Sequence, residues 1–505
     1  MLESLLEPLP PNSSPHVNRL LRSNDAPLDS EALVIRSIVS DGENRMRALD
    51  AHIFHLQATL AQLSQRRDET VEHLRVHRAI LSPIRRVPTE LCAEQSEIWN
   101  APMAAWFICR SWRHYALSYP LLWSSVTVSC YPSWYESETQ RLLSKLQTQL
   151  FRAANASLDI HCWYGGNDPD SHLLGLVLPS SNRWRNVSFH VNSGKCRLDW
   201  LLPTSGKLDR LETLEVENFG ATTFPDVFTT APNLRRVILT LMPNTNRGAP
   251  IYLESIPIPW GPITQYRGEL PGARQLEILQ AAPNLLNCAL EIAEGSNFIP
   301  PTDTTVTLPH LRRLCLDAAA FHLNVVAPEL EELCSVLGVC MVPLITPLIQ
   351  RASCTLTRLV LWQCRLHTEL TDVLRALPTL SYLLLENRHH REEDGVAFFA
   401  TMTISGTDSD VCPHIVSMVY GYEHWDKYAS KDAFISMAKS RFRTQHALRS
   451  RLSRLRVFKS ASYLEHHEPP KLDMKDQIQM LQDEGLDVAF LGEQETTEYL
   501  SRRYI

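Results

Sequence analysis

The sequence predicts an α/β fold in which most of the chain forms a curved stack of helix–strand repeats that share one parallel sheet. Three observations predict it. A leucine-rich phrase recurs at intervals of 19 to 29 residues, short helical patterns precede several copies of it, and no glycine-rich phosphate loop follows any expected strand. At 505 residues, 44% of them hydrophobic, the chain is long enough to bury a sizeable core.

Composition and charge exclude several classes of function. The formal net charge is −7, from 49 basic and 56 acidic residues, so no global field favours nucleic acid or an anionic membrane as a partner. The sequence has no run of about twenty apolar residues and does not begin with a basic stretch followed by an apolar one. Neither a membrane span nor a signal peptide is therefore expected.

The cysteines point to a reduced interior. All 12 occur singly between Cys92 and Cys412, without a Cys-x-x-Cys pair and without the histidine spacing of a zinc site. We therefore expect no metal and no cofactor, and mostly buried thiols in a cytoplasmic or nuclear protein.

The amino-terminal region divides into two parts. Residues 1–28 are rich in Pro, Ser and Asn and are predicted to be disordered, whereas residues 29–80 carry a helical pattern. A seam along that helix alternates steps of three and four residues, as a coiled coil does, and consists of Met46, Leu49, Ile53, Leu56, Leu60 and Leu63. Because a lone helix of this kind is marginal in water, it should pack against a second copy, giving a homodimer through residues 46–63, or against its own chain.

Residues 81–125 predict a small helical unit. Three stretches carry the pattern: Val87-Pro88-Thr89-Glu90-Leu91, Ile108-Cys109-Arg110-Ser111-Trp112-Arg113 and Leu122-Trp123. Pro88 can begin a helix, because its missing N–H would have no partner in the first turn, and Pro120 ends a later helix. A unit this short has too little core to be stable alone, so its exposed apolar face would bind a partner.

The order of these stretches resembles an F-box, in which a Leu-Pro-x-Glu-like opening, a Val-Cys-x-x-Trp-Arg-like helix and a Leu-Trp pair follow one another. The resemblance implies that the segment binds the Skp-type adaptor of a cullin-RING ubiquitin ligase. It assigns this contact to Pro83, Ile84, Val87, Pro88, Leu91, Ile108, Cys109, Trp112, Leu117 and Trp123. The chain departs from the family pattern at Ala93–Pro102, where a polar run and a proline leave the middle helix thin. Either the box has decayed, or an exon is misjoined there in the gene model.

The repeated phrase reads small-or-Leu, Pro, any residue, Leu, two variable residues and an apolar residue, with another apolar residue two places on. Leu308–Leu316 and Leu377–Leu385 show it best. The leucines that open the expected strands are Leu211, Leu234, Leu285, Leu311, Leu330, Leu356 and Leu380, and a weaker unit at Ile263–Leu270 fills the long gap. Trp184–Val191 adds an earlier repeat, and residues 123–128 and 413–420 are candidates nearer the ends.

The phrase explains the expected architecture. Leu383 and Leu385 face the same side of a strand, while helical patterns at 225–230, 272–281 and 368–376 precede their strands. Because each unit buries its leucines only against its neighbours, the sequence predicts an irregular leucine-rich-repeat solenoid over residues 126–460. The alternative is a compact doubly wound α/β domain, which the similarity of the units disfavours. The order of helix, box and repeats resembles that of fungal F-box proteins.

The carboxy-terminal residues 461–505 are predicted to form a cap. Asp473 can cap a helix that Gly485 ends, and Leu486–Phe490 has the pattern of a last strand. A basic run precedes this cap and contains Arg441, Arg443, Arg449, Arg451, Arg454 and Arg456. We interpret it as an amphipathic helix and strand with the arginines on the solvated face, the alternative being a nucleic-acid site.

No pattern of an enzyme is present: the sequence has no Walker loop, no Gly-x-Ser-x-Gly elbow, no His-Glu-x-x-His and no kinase signature. The pairs His389-His390 and His466-His467 stand in polar loops. We therefore expect a non-enzymatic adaptor that resembles an F-box substrate receptor, with the repeats holding a target protein. The alternative is a repeat scaffold with a non-functional box that self-associates through its amino-terminal helix.

Overall fold

A computed structural model of the chain describes residues 15–22, 25–80, 114, 117–130, 136–164, 171–191, 195–218, 221–241, 256–292, 304–336, 342–387, 392–407, 410–422, 428–444, 449–459 and 479–491. The chain divides into two units, Met1–Glu97 and Ile98–Ile505.

The first unit contains two described helices, α1 (Pro15–Leu20) and α2 (Asp29–Ile80). The long helix α2 confirms the predicted amino-terminal helix, while α1 lies within the segment predicted to be disordered. Acidic Asp29 and Glu31 stand in the first turn of α2 and His77 and Arg78 in its last, as the helix dipole favours. The predicted seam is exposed: its members Met46, Ile53, Leu56, Leu60 and Leu63 are each more than half accessible to solvent.

The second unit is dominated by parallel strands. In chain order, the described strands are β1 (Ser125–Cys130), β2 (Leu158–Tyr164), β3 (Trp184–Val191), β4 (Lys195–Arg197), β5 (Thr213–Asn218), β6 (Ala221–Thr223), β7 (Arg236–Leu241), β8 (Gln265–Leu270), β9 (Asn287–Ile292), β10 (Thr305–Thr307), β11 (Arg313–Asp317), β12 (Asn324–Val326), β13 (Glu332–Val336), β14 (Arg358–Cys364), β15 (Tyr382–Asn387), β16 (Ser417–Tyr422), β17 (Arg454–Lys459) and β18 (Asp487–Leu491). Fourteen of them form one sheet; β4 pairs with β6, and β10 with β12.

Helices connect many of these strands. The described α-helices include α3 (Glu136–Arg152), α4 (Ser171–Val177), α5 (Gly272–Ala281), α6 (Ile345–Ala352), α7 (Thr368–Arg375), α8 (Glu392–Met402) and α9 (Tyr428–Phe442). Short 3₁₀ helices occur at Pro120–Trp123, Leu178–Arg183, Asp199–Thr204, Ala320–His322 and Val342–Leu344. Helices α5 and α7 confirm two of the predicted repeat helices. The third prediction, at residues 225–230, is wrong: turns stand there, since Pro225 and Pro232 leave too few residues for a stable helix.

The strand order of the large sheet follows the sequence from β1 to β18, and every neighbouring pair is parallel. A doubly wound domain reverses its strand order at a switch point, and this sheet has none among its fourteen strands. The sheet is not closed on itself, because β1 and β18 are its two edges. The predicted α/β class with a long parallel sheet is confirmed.

One buried core lies on the face of the sheet that the helices cover. Alternate strand residues such as Leu314 and Leu316 on β11 point into it, and the opening Leu311 is also buried. Buried residues of the described helices α3 to α9, among them Leu146, Leu279, Leu374 and Phe434, belong to the same cluster. Burying each leucine contributes about 1.5–3 kcal/mol, which is why the phrase keeps its leucines while its other positions vary.

Residues at the variable positions of the phrase form hydrogen bonds that connect neighbouring units. The backbone N–H groups of Arg312 and Arg313 both donate to the carbonyl of Leu286 in the preceding unit, and those of Glu331 and Glu332 donate to Arg312 in the same way. Asn284, which follows the proline of its phrase, donates from its side chain to the carbonyl of Gly261 at 2.8 Å. Backbone hydrogen bonds therefore hold these units to the ones before them, and a side-chain hydrogen bond is added at Asn284.

Helix α5 is fixed to β8 by a buried amide. Gln275 donates to the carbonyl of Gly268 at 2.7 Å and accepts a hydrogen bond from the Tyr266 hydroxyl at 2.8 Å. Position 268 needs glycine, because a Cβ there would lie 2.0 Å from that hydroxyl oxygen. Because its amide group is hydrogen-bonded, Gln275 can be buried in the apolar core.

Candidate docking face of the sheet

The F-box-like residues lie mostly outside the part of the chain that the structure describes. Of the ten residues assigned to adaptor binding, the structure describes Leu117 and Trp123. Leu117 is exposed. Trp123 belongs instead to the buried core of the sheet unit, with the Arg152 guanidinium 4.5 Å from the centre of its ring. Its place in the structure gives Trp123 a packing role and leaves little of the ring for a partner to contact.

The sheet offers a larger candidate surface on its second face, which we define by the strand residues that point away from the described helices. Along each strand these residues alternate with the buried ones, so a strand of six residues contributes about three of them. Residues paired across neighbouring strands line up, and the side chains therefore form three rows that cross the sheet. In the first row stand Arg236, Gln265, Asn287, Arg313, Glu332 and Arg358; in the second stand Ile238, Arg267, Ala289, Cys315 and Cys334. Strands β8, β9 and β11 bury one side only, which leaves this face accessible.

A groove of about 280 Å³ crosses this face over β7, β8, β9, β11 and β13. We call it the arginine groove, because Arg236, Arg267 and Arg313 line it together with the acidic residue Glu332. The floor between these long side chains consists of short ones, including Ala289, Cys315 and Cys334. Two of these arginines have acidic partners: Arg267 lies 3.4 Å from Glu291, and Arg313 lies 3.5 Å from Glu332.

An ion-pair network borders the groove. The Glu332 carboxylate is buried and lies 2.9 Å from Nε of Arg358 and 3.5 Å from Nε of Arg313. The guanidinium of Arg358 in turn lies 4.1 Å from the centre of the Tyr382 ring. Because Arg358 is less exposed than Arg313 and closer to Glu332, it is the main counter-charge of that carboxylate.

An aromatic platform stands near the other end of the second face. Trp163 on β2 stacks on His190 of β3 with ring centres 3.9 Å apart, and His190 hydrogen-bonds through Nδ1 to the carboxylate of Glu217 on β5. The indole remains 42% exposed. A rigidly held, partly exposed tryptophan is the kind of side chain that anchors protein interfaces.

The last strands carry an apolar second face. Val360, Leu384, Val419 and Phe458 belong to a buried cluster, separate from the main core, that also includes Tyr382 and reaches Cys334 on β13. Strand β15 is consequently buried on both faces. The second face therefore gains an apolar cluster along β14 to β17, although Arg358 on β14 and Arg454 on β17 still stand in its first row.

The sequence contained a signal for the charged part of this face that we did not use. In Leu234-Arg-Arg-Val237 and Leu311-Arg-Arg-Leu314 the second variable position of the phrase is arginine, and in Leu356-Thr-Arg-Leu359 it is arginine again. Strand alternation places that position on the second face. The repetition of one residue type at one outward position was the available sign of a binding surface.

The basic run of the carboxy-terminal part is bound within the fold. Arg441 is buried, which corrects the expectation that all these arginines lie on the solvated face. The others have partners as well: Arg443 pairs with Glu484, Arg449 with Asp410, Arg454 and Arg456 with Asp487, and Arg451 stacks over Phe442. The predicted helix and strand are α9 and β17. These arginines serve packing and pairing, which disfavours the alternative of a nucleic-acid site.

Most of the cysteines whose side chains the structure describes are buried. Seven of the described cysteines are free, and five of these, Cys162, Cys288, Cys334, Cys364 and Cys412, are buried. Burial raises the pKa of Cys364 and Cys412 to about 12, so these thiols stay protonated and unreactive. Among the described residues no group of three or more His, Cys, Asp or Glu side chains could hold a metal ion. The two histidine pairs and Asp473 lie outside those residues.

No described helix is long and apolar enough to span a bilayer. No protein-family model matches the chain, and none of the curated proteins is detectably similar to it.

Proposed function

We propose that this chain is a non-enzymatic adaptor resembling an F-box substrate receptor of a cullin-RING ubiquitin ligase. In this proposal the segment 81–125 binds a Skp-type adaptor, the helix–strand units form a curved leucine-rich-repeat solenoid, and the second face of the sheet holds a target protein. Joining the two partners raises the concentration of the target near the ubiquitin-bearing enzyme. The protein would act in the cytoplasm or nucleus, where such ligases work.

The observation that carries the proposal is the long parallel sheet with strands in sequence order. In such a sheet the units bury their leucines on the helix side, and the other face presents rows of outward side chains over many strands. An extended surface with charged, aromatic and apolar regions is better suited to bind another protein than to enclose a small substrate. The order of the F-box-like stretches in the sequence supports the other part of the proposal, the binding of a Skp-type adaptor.

A pull-down tests the adaptor half. The full chain is mixed with a Skp-type adaptor, and Leu91→Asp is compared with the intact sequence, because a carboxylate at an apolar contact has to be desolvated on binding. We expect capture by the intact chain and at least a roughly tenfold loss in the variant. Leu202→Asp is the matched control: Leu202 is exposed in the sheet unit and should leave capture unchanged.

Absence of capture by the intact chain would reject the adaptor role. Equal losses in Leu91→Asp and Leu202→Asp would reject a specific role for the F-box-like segment. Sequencing the transcript across Ile98–Pro102 separates a decayed box from a misjoined exon.

The exposed seam of α2 favours a second candidate function, that of a scaffold which self-associates. Six apolar residues in heptad spacing lie on a helix of 52 residues, and five of them are more than half exposed. A second copy of the same helix would cover this seam by knobs-into-holes packing. The repeats would then be displayed as a pair whether or not the box is functional.

Light scattering on the full chain tests the scaffold. We expect a dimer for the intact chain and a monomer for Leu56→Asp/Leu60→Asp, since charges in the seam oppose packing. Phe54→Asp is the matched control, because Phe54 is exposed on the same helix but lies outside the seam. A monomeric intact chain, or a dimer that persists in the double variant, contradicts self-association through this seam.

A further inference from the structure

Two thiols lie side by side in the floor of the arginine groove. Cys315 on β11 and Cys334 on β13 are paired in register, and strand alternation points both side chains to the second face of the sheet. Neighbouring strands are about 4.8 Å apart, which falls within the Cα–Cα range of about 4.4–6.8 Å that a disulfide spans. The two backbones are therefore already placed for a bridge.

The two side chains also contact each other. Cys334 is a buried member of the apolar cluster on the second face, and Cys315 packs against that cluster. The two thiols share a hydrogen bond, and the indole N–H of Trp362 donates a second hydrogen bond to the Cys334 sulfur. These contacts hold the two sulfur atoms next to each other.

The groove gives a small oxidant access to one of these thiols first. Cys315 is partly exposed and Cys334 is buried, and both line the groove of about 280 Å³. The hydrogen bond with Cys315 and burial raise the pKa of Cys334, so this thiol keeps its proton at neutral pH. Oxidation therefore begins at Cys315, and Cys334 is placed to react second.

Two other cysteines show what distinguishes this pair. Cys288 on β9 lies one strand away from Cys315, but its side chain points to the opposite face and belongs to the main core. Cys354 is partly exposed, as Cys315 is, but it does not line the groove. Register and exposure to the groove coincide at Cys315 and Cys334.

We propose that Cys315 and Cys334 are a redox-modification site, at which a hydroperoxide converts the two thiols into a reversible disulfide that links and stabilises neighbouring units. The Cys315 sulfur attacks one peroxide oxygen: an S–O bond forms, the O–O bond breaks, and the thiol proton leaves with the other oxygen as water or an alcohol. The Cys334 sulfur then attacks the Cys315 sulfur: the S–S bond forms, the S–O bond breaks, and the hydroxyl leaves with the Cys334 proton as water. The two thiols lose two electrons, which the peroxide takes up.

The position of the bridge explains both its reversal and its effect. Because Cys315 borders the groove, a thiol reductant can reach the bridge and reduce it. The bridge closes a loop of about 20 residues, which restricts the unfolded chain and stabilises the fold. The inference goes beyond the proposed function and does not depend on it.

Peptide mapping of the full chain under non-reducing conditions tests the proposal. The reduced protein is treated with hydrogen peroxide, the remaining thiols are blocked with iodoacetamide, and the chain is cut after glutamate and arginine. Cys315 then lies on fragment 314–329 and Cys334 on fragment 333–351. We expect these two fragments to be joined as the dominant cross-link, lighter by two hydrogens than the reduced pair and separated by dithiothreitol.

Three variants locate the bridge. Cys315→Ser and Cys334→Ala should each abolish the cross-link, and in Cys334→Ala dimedone should trap a sulfenic acid at Cys315. Cys340→Ser is the matched control, because Cys340 lies on the same fragment as Cys334 but outside the residues that the structure describes. It should keep the cross-link. After peroxide treatment the intact chain should melt at a higher temperature than Cys315→Ser, and melting curves of the reduced variants verify their folds.

Three results would overturn the inference: no joined fragments in the intact chain, a cross-link that survives in Cys334→Ala, or a treated intact chain that melts no higher than treated Cys315→Ser. These measurements involve neither the ligase adaptor nor a target protein. Failure of adaptor capture therefore leaves the disulfide site assigned, and absence of the cross-link leaves the proposed function as it stands.

Discussion

At the scale of single residues, Arg441 is a charged side chain that the fold buries almost completely. Its guanidinium donates to the carbonyl of Met402, the last residue of α8, and to those of Val411 and Cys412, which precede β16. Burial lowers its pKa to about 10, so the group remains charged at neutral pH. One side chain thus holds a helix end and the following turn together.

We predict that Arg441→Met lowers the free energy of unfolding by about 3 kcal/mol or more, because three carbonyl groups lose a charged donor in a buried place. Urea unfolding followed by circular dichroism measures the change. Arg351→Met is the control: Arg351 is exposed on α6, and its loss should cost no more than about 0.5 kcal/mol. Equal effects of the two substitutions would show that Arg441 contributes no more than a surface arginine.

The ionisation of Asp410 makes the stability of the same region depend on pH. Burial alone would raise the pKa of its carboxyl, but hydrogen bonds from Ser405 and Gly406 and the charge of Arg449, whose Nε lies 2.9 Å away, outweigh burial and lower it. A carboxyl with a lowered pKa in the folded state stabilises the fold above its unfolded pKa. That contribution is lost as the pH falls through the folded value.

Asp410→Asn should therefore destabilise the protein by about 1–2 kcal/mol at neutral pH, and the difference from the intact chain should shrink below about pH 4. Urea unfolding at a series of pH values measures it. Asp432→Asn, on the exposed side of α9, should show no such convergence. A difference that stays constant with pH would mean that ionisation of Asp410 does not contribute to stability.

At the scale of elements, helix α6 ends in an unfavourable conformation that can be improved. Ser353 follows its last residue with φ at 49°, in the left-handed region, and its N–H donates to the carbonyl of Ile349. Ser353→Gly should raise the melting temperature, because glycine adopts this conformation at a gain of about 0.5–1 kcal/mol. The same change at exposed Ser436, inside α9, should lower it by a similar amount. Destabilisation by Ser353→Gly would contradict this view of the helix end.

Elements whose apolar spacing is strong were predictable from the sequence. The leucine phrase located β11, β14 and β15, and α5 occupies the predicted residues 272–281. The weaker unit at Ile263–Leu270 became β8, although it lacks the full phrase. In each case burial of alternate residues on one side decides the element, and that pattern is legible in a single sequence.

Contacts between residues that are far apart in the sequence were not predictable in the same way. Arg441 belongs to a run of arginines, and nothing in the run distinguishes the residue that reaches three buried carbonyls from those that pair at the surface. The arginine groove brings Arg267 and Arg313 to either side of the small Ala289, and this depends on strand register, which pairs residues 22 apart between β8 and β9 and 26 apart between β9 and β11. Such sites require the pairing of strands to be known.

At the scale of the sheet unit, the strand order has a consequence for cooperativity. Each of the fourteen strands pairs only with the strands before and after it, so no contact in the sheet joins β1 to β18 directly. In repeat arrays stability is nearly a sum of unit and nearest-neighbour contributions, whereas a doubly wound domain shares one central core. A local defect should therefore loosen one end of the sheet and leave the other unaffected.

Two substitutions at opposite ends provide the test, each serving as the control for the other. Val126 on β1 and Val488 on β18 are both buried, and Val→Ala at either position should cost about 2 kcal/mol of local stability. Hydrogen exchange followed by mass spectrometry should show faster exchange in β1 and β2 for Val126→Ala, and in β17 and β18 for Val488→Ala. Uniform acceleration over all fourteen strands in either variant would mean that the sheet unfolds as one cooperative body. The stacked units would then not behave as a repeat array, which would also weaken the case for an extended docking face whose regions act separately.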